Sequence, residues 1–322
     1  MRAVVVRAFG DPDVLGLQEV PDPRPPREGE VLVRLRAVGV NPVETYVRAG
    51  RYAALPALPY TPGGDGAGVV AAIGGADVPG PAVGDRVYTS GSLTGTYAEA
   101  ALCAVAQVHP LPDEATFAEG AALGIPYATA FRALFQRGGL RPGELVLVRG
   151  ASGGVGLATV QLAVAAGFAA HGTAGSEAGR RLVAAQGAAQ VVDHRMAGHA
   201  AGLLAASGGR GYDLIVEMAA HAGLADDLSL LARGGRVVVV GSRGPVEIVP
   251  RDLMTRDADV RGLLLANASP EDLAEIHQAL YDGLADGRLR PVIARELPLA
   301  EAARAHREIA AGPAAGKLVL LP

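Results

Sequence analysis

Among 322 residues there is one cysteine, Cys103, and one lysine, Lys317. One cysteine cannot close an intrachain disulfide, and it cannot build a cysteine metal site. Every other basic side chain, histidine aside, is arginine, whose planar fork suits phosphate better than an ammonium does. The net charge is -4, so no overall basic field invites nucleic acid. Aromatics are scarce, with 8 tyrosines and 5 phenylalanines, yet Tyr46 and Tyr52 fall within one short segment. No apolar run reaches the length of a membrane span. The start, Met1-Arg2-Ala3-Val4-Val5-Val6, has the pattern of a strand and not of a signal peptide. A cytoplasmic protein with no membrane partner is expected.

Hydrophobic residues make up 50% of the chain, enough for a large core, and the length favours two domains. The first part reads as short strands at 31–40, 68–73, 86–88 and 97–102, punctuated by glycine and proline, which predicts a partly barrel-like β domain. Segments 117–123 and 129–135 read as helices leading onward. From Leu145 apolar strands alternate with helices. Strands are expected at 145–148, 168–173, 190–192, 212–217, 237–240 and 260–265. Helices are expected at 157–166, 178–186 and 270–284, and 225–231 leads into the strand at 237–240. This is the pattern of an α/β domain with a doubly wound parallel sheet. The tail, 291–320, reads strand, helix, strand and is expected to rejoin the first domain.

The most informative stretch runs from Leu145 to Gly156. An apolar strand is followed by a turn with Gly150, Gly153 and Gly156, and then by a helix. Small residues let backbone approach a pyrophosphate, and the helix N–H groups face its charge. Ser152, Gly153, Gly154 and Val155 are the candidate phosphate contacts. A dinucleotide fold selecting NAD places a carboxylate at the tip of the next strand. Here the tip is Gly172-Thr173-Ala174-Gly175-Ser176, with Arg180, Arg181, His194 and Arg195 following. That combination suits a 2′-phosphate, so NADPH is expected over NADH; solvent-facing arginines and a turn histidine are the plainer alternative. The loops after the strands ending at Glu217 and Val240 carry His221 and Gly241-Ser242-Arg243-Gly244, and both should open at the ligand-binding edge.

Several segments together resemble the medium-chain dehydrogenase/reductase superfamily, and within it the zeta-crystallin type of NADPH:quinone oxidoreductase. They are Gly39-Val40-Asn41-Pro42-Val43-Glu44-Thr45-Tyr46, Tyr60-Thr61-Pro62-Gly63, Gly124-Ile125-Pro126-Tyr127, the glycine turn, Gly234-Gly235-Arg236-Val237, Gly241-Ser242-Arg243-Gly244 and Gly316-Lys317-Leu318-Val319-Leu320. The resemblance implies a GroES-like catalytic domain at 1–123, a Rossmann NADPH domain at 124–264, and a segment 265–322 returning to the catalytic domain. It implies that Tyr46 and Tyr52 line the nicotinamide and quinone pocket and that Asn41 supplies an amide there. By themselves the tyrosines fit amphipathic core positions equally well, and Asn41 before Pro42 fits a turn. The resemblance further places Gly175, Arg181 and His194 at the 2′-phosphate. Val240, Gly241, Ser242, Arg243, Leu263, Leu264 and Leu265 become cofactor contacts, and Lys317 a basic residue near the cofactor. His221 stands where the family has asparagine.

Zinc members of the superfamily carry a cysteine near the position of Asn41 and a His-Glu pair where this chain has Gly64-Asp65. Asn41 and Gly64 cannot supply such ligands, so no metal is expected. The implied activity is reduction of quinones by NADPH, through hydride or one-electron steps. An NADPH-dependent 2-alkenal or enone reductase is the alternative enzyme. Members of the family also bind AU-rich RNA, but no basic stripe with interleaved aromatics is present, so nucleic acid is not expected as a main partner. The resemblance implies a homodimer or homotetramer.

Overall fold

The computed structural model describes residues 1–75, 80–312 and 315–322. Two compact units emerge, one from Met1–Ile125 with Leu280–Pro322 and the other from Pro126–Ala279. The first unit opens with β1 (Arg2–Val5), β2 (Gly16–Glu19), β3 (Glu30–Val40), α1 (Pro42–Arg48), β4 (Asp65–Ile73), β5 (Arg86–Ser90), β6 (Ala100–Ala104), β7 (Val108–Pro110) and α2 (Phe117–Gly120). Helix α3 (Gly124–Phe131) leads into the second unit. There follow β8 (Leu145–Val148), α4 (Gly154–Ala165), β9 (Ala169–Thr173), α5 (Glu177–Ala185), β10 (Gln190–Val192), α6 (His199–Ala206), β11 (Tyr212–Glu217), α7 (Ala220–Leu230), β12 (Leu231–Val239), α8 (Pro250–Met254) and β13 (Asp259–Gly262). Helix α9 (Pro270–Ala285) precedes β14 (Ile293–Pro298), α10 (Ala302–Ala311) and β15 (Lys317–Leu321). None of the described helices is long and apolar enough to cross a membrane.

The second unit is a six-stranded sheet in the order β10-β9-β8-β11-β12-β13, with every pair parallel. Counted within the unit this is the doubly wound order of dinucleotide folds, and it reverses between β8 and β11. Strands buried on both faces read as unbroken apolar runs, and Leu147, Ile215 and Val237 are completely buried. Leu224 and Leu228 of α7 pack on the same cluster. Burying each such side chain contributes roughly 1.5–3 kcal/mol before entropy is counted. The unit extends further along the chain than the expected limit at 264. Arg132 Nη1 donates to Asp272 Oδ2 at 2.6 Å, and Gln136 Nε2 donates to Glu275 Oε2 at 2.9 Å, tying the start of α9 to this unit. The return to the first unit therefore comes at Leu280 and not at 265.

The first unit is built on β3. This long strand pairs with β4 along one edge, and with β6 and then β15 along the other. Register shifts near Leu32 and Leu35 let it curve between these partners, as bulges do. The seven-stranded sheet runs β14-β15-β3-β4-β5-β7, with β6 beside β3, which gives the partly closed β architecture. The strand expected at 97–102 begins later, at Ala100. Tyr97 lies outside it, completely buried, with its hydroxyl in a polar network. The helix expected over 117–123 stops at Gly120. Its start follows from a capping box, in which Thr116 Oγ1 accepts from Glu119 N–H and Glu119 returns a bond to Thr116 N–H.

Candidate active site

The carboxyl edge of the parallel sheet collects most of the expected cofactor residues. Gly150 follows β8 with φ +65, a conformation that disfavours side chains. Its N–H donates to Thr173 Oγ1 at 3.0 Å, and Ala151 N–H donates to Thr173 O at 2.8 Å, which ties the turn to the end of β9. Gly153 caps α4, and Gly154 and Val155 begin it, so their N–H groups lie in the unsatisfied first turn. A Cβ on Gly156 would fall 2.6 Å from Ala151 Cα and from Gly150 O, so helix and turn can meet only over glycine. Ser152 is buried. This corner lies beside the strand-order reversal and has the shape that a pyrophosphate requires.

Gly175 follows β9, and a Cβ there would lie 2.5 Å from Arg195 Nε and 2.8 Å from His194 Nε2. His194 and Arg195 therefore converge on backbone that no side chain covers. Burial and the nearby Arg149 guanidinium hold His194 below the usual imidazole range. Arg180 Nη1 donates to Asp193 Oδ2 at 2.5 Å on the same loop. Arg181 is exposed and paired with Glu177 one turn back on α5. Arg195, beside His194, is the arginine whose side chain lies against Gly175.

The loops after β11 and β12 are joined. Val240 N–H donates to Glu217 O at 2.9 Å, and Ala220 N–H donates to Gly241 O at 2.8 Å. Arg243 N–H donates to His221 Nδ1 at 3.1 Å, and Ser242 Oγ donates to Gly244 O at 2.9 Å. Leu263 N–H donates to Val239 O at 3.0 Å, which brings 263–265 to the same edge, with Leu264 exposed.

In the first unit Asn41 opens α1 and closes a capping box with Glu44. Its Nδ2 donates to Asp65 Oδ2 at 2.8 Å and to Glu44 Oε1 at 3.3 Å, and its Oδ1 accepts from Lys317 Nζ at 2.5 Å. Lys317 also donates to Asp65 Oδ2 at 3.2 Å, and Asp65 Oδ1 accepts from Ile125 N–H at 2.9 Å. Glu44 Oε2 accepts from Tyr97 Oη at 2.7 Å, and the Tyr97 hydroxyl lies 3.0 Å from His306 Nε2. Asn41 is 1% exposed with its amide hydrogens engaged by Asp65 and Glu44, so it braces α1. Lys317 is held by Asn41 and Asp65. Tyr46, on α1, is half-buried, and Tyr52, in the loop after α1, is 37% exposed.

Burial pushes the Glu44 carboxyl up to about 7. A raised carboxyl favours the protonated fold, so its contribution is complete below the unfolded value and is lost as pH rises through 7. Comparing urea midpoints of Glu44→Gln and the parent from pH 5 to pH 8 should show the difference shift toward the variant by about 3 kcal/mol. A constant difference would contradict that role.

No group of three or more His, Cys, Asp or Glu residues able to hold a metal occurs among the described residues. The buried network was invisible because its members lie far apart in sequence; only the Asn41-x-x-Glu44 spacing carried a signal, as a capping box.

Comparisons with known proteins follow the same outline. Residues 27–113 match the family model of the alcohol dehydrogenase GroES-like domain, and residues 186–320 match that of the zinc-binding dehydrogenases. The quinone oxidoreductase of Lama guanicoe is 47% identical over 322 residues, covering 100% of this chain and 97% of its own. A crystal structure of an NAD-dependent alcohol dehydrogenase superposes with TM-score 0.92 at 31% identity, covering 100% of both chains. The Escherichia coli quinone oxidoreductase complexed with NADPH superposes with TM-score 0.89 at 28% identity, covering 100% of both chains.

Proposed function

The chain belongs to the medium-chain dehydrogenase/reductase superfamily, among its quinone oxidoreductases, and we propose that it reduces quinones with NADPH. Full-length likeness to quinone oxidoreductases is the observation that carries this reading. Gly150 to Val155 and the start of α4 would hold the pyrophosphate. Gly175, His194 and Arg195, with Arg180 behind them, would hold the 2′-phosphate. His221, Val240 to Arg243 and Leu263 to Leu265 would flank the nicotinamide half through backbone groups. When bound, NADPH supplies the hydride. Arg195→Ala should lower the preference for NADPH over NADH by about ten- to a hundred-fold, the worth of one charge-assisted bond. Paired titrations of both nucleotides check this, and an unchanged ratio removes Arg195 from the role.

Negative charge develops on a quinone oxygen as it is reduced, and preorganised donors stabilise that charge. Tyr52 is the donor proposed, with Tyr46 a pocket aromatic. The phenol proton of Tyr52 stays on its oxygen, and the hydroquinone takes its own proton from water. Tyr52→Phe should slow single-turnover reduction several-fold, the worth of a neutral hydrogen bond of about 1 kcal/mol, with little change in NADPH affinity. A parental rate and quinone affinity in both Tyr52→Phe and Tyr52→Ala would make Tyr52 a structural aromatic.

A homodimer or homotetramer in the cytoplasm completes this reading. Closed symmetric assemblies are the commonest for soluble chains, and β13 is an edge strand with one side unpaired by the sheet. Light scattering that finds only the monomer mass over a concentration series would refute the assembly. A panel of quinones and enones tests the reaction itself, and faster turnover of enones would overturn it.

A further inference from the structure

Arg149, Glu217 and Asp227 form a buried charged cluster in the second unit that the proposed reaction does not use. Arg149 Nε lies 3.5 Å from Glu217 Oε2 and 3.2 Å from Asp227 Oδ1. Glu217 is 2% exposed and Asp227 0%. Among the described residues neither carboxyl has another cation within ion-pair reach. As two carboxylates they would leave Glu217 Oε2 and both Asp227 oxygens without a hydrogen bond. An uncompensated buried charge costs several kcal/mol. One shared proton removes that charge and supplies the missing donor. Burial first, and the Glu217 charge second, hold Asp227 well above the usual carboxylate range, so Asp227 carries the proton.

The surroundings give Glu217 its reach. Its side chain accepts from Ala219 N–H, the residue that caps α7, whose first turn carries His221. Its backbone carbonyl accepts from Val240 N–H at 2.9 Å, at the start of the loop that carries Arg243. Arg149, its ion-pair partner, immediately precedes Gly150 of the phosphate turn. Gly223 makes the room, since a Cβ there would fall 2.4 Å from Glu217 Oε2. We propose that Glu217, acting through Arg149, is a positioning residue for the dinucleotide, fixing the phosphate turn, the start of α7 and the 240–243 loop in one arrangement. This rests on the cofactor reading above.

The charges facing Asp227 are Arg149 from the turn after β8, Glu217 from the end of β11 and Asp226 on its own helix, α7. His199 of α6 lies 3.9 Å from Asp226, and His194, after β10, faces Arg149.

The test is NADPH affinity by fluorescence titration from pH 6 to 9 on the whole protein, with urea midpoints and turnover at saturating NADPH alongside. Glu217→Gln should weaken NADPH at least about tenfold at neutral pH while turnover at saturation stays within about threefold. Asp227→Asn, which mimics the neutral acid, should bind within about threefold at neutral pH. Arg149→Lys keeps the charge without the fork and should weaken NADPH like Glu217→Gln, so it serves if Glu217→Gln fails to fold. Equal effects of Glu217→Gln and Asp227→Asn would overturn the inference. A parent protein that does not bind NADPH would instead sink the cofactor reading.

Discussion

Replacing Gly156 by valine is expected to raise the NADPH dissociation constant at least about a hundredfold, because two charge-assisted bonds at about 1.5 kcal/mol each are worth that factor. The cause is steric and local. The new Cβ would stand 2.6 Å from Ala151 Cα and from Gly150 O, both backbone atoms. These cannot retreat freely, since Gly150 N–H and Ala151 N–H are bonded to Thr173. Either α4 or the turn must move, and the N–H groups that would meet the phosphates move with it. Gly202→Ala, in a helix where an added Cβ meets nothing within 4 Å, is the control and should bind normally. Isothermal titration of both variants reads the result. Unchanged affinity in Gly156→Val would remove the turn from the cofactor site.

Lys317→Met should destabilise the protein by about 3–5 kcal/mol at neutral pH, the cost of removing one partner from a buried ion pair. The Lys317 side chain is 6% exposed and that of Asp65 is 0% exposed, with 3.2 Å between Nζ and Oδ2. The substitution also strips a donor from Asn41 Oδ1. The double variant Lys317→Met with Asp65→Asn should recover much of the loss, since the stranded charge is then gone while an amide oxygen still accepts from Ile125 N–H. Urea midpoints measure both. A single variant within about 1 kcal/mol of the parent would show the pair to be solvated or dispensable.

How much of this the sequence disclosed follows from the range of the interactions involved. The parallel sheet was legible because strands buried on both faces must be apolar throughout, as in Leu145-Val146-Leu147-Val148. The phosphate turn was legible because its glycines answer steric demands within a dozen residues. The Glu177–Arg181 pair, four residues apart, was readable locally, whereas nothing local tells that the Arg195 fork turns toward Gly175. Lys317 lies far along the chain from Asn41 and Asp65, and no spacing rule reaches so far, so its bonds to them were not legible. The Arg149, Glu217 and Asp227 cluster is of the same kind, assembled from two strand ends and a helix.

The central claim is that this chain passes reducing equivalents from NADPH to quinones. Stopped-flow oxidation of enzyme-bound NADPH, mixed with a para-benzoquinone and in parallel with an enone, measures it most directly. The expected result is NADPH oxidation that accelerates with quinone concentration, outpaces the enone, survives chelator treatment and slows when NADH replaces NADPH. Oxidation no faster with quinone than without it would contradict the claim.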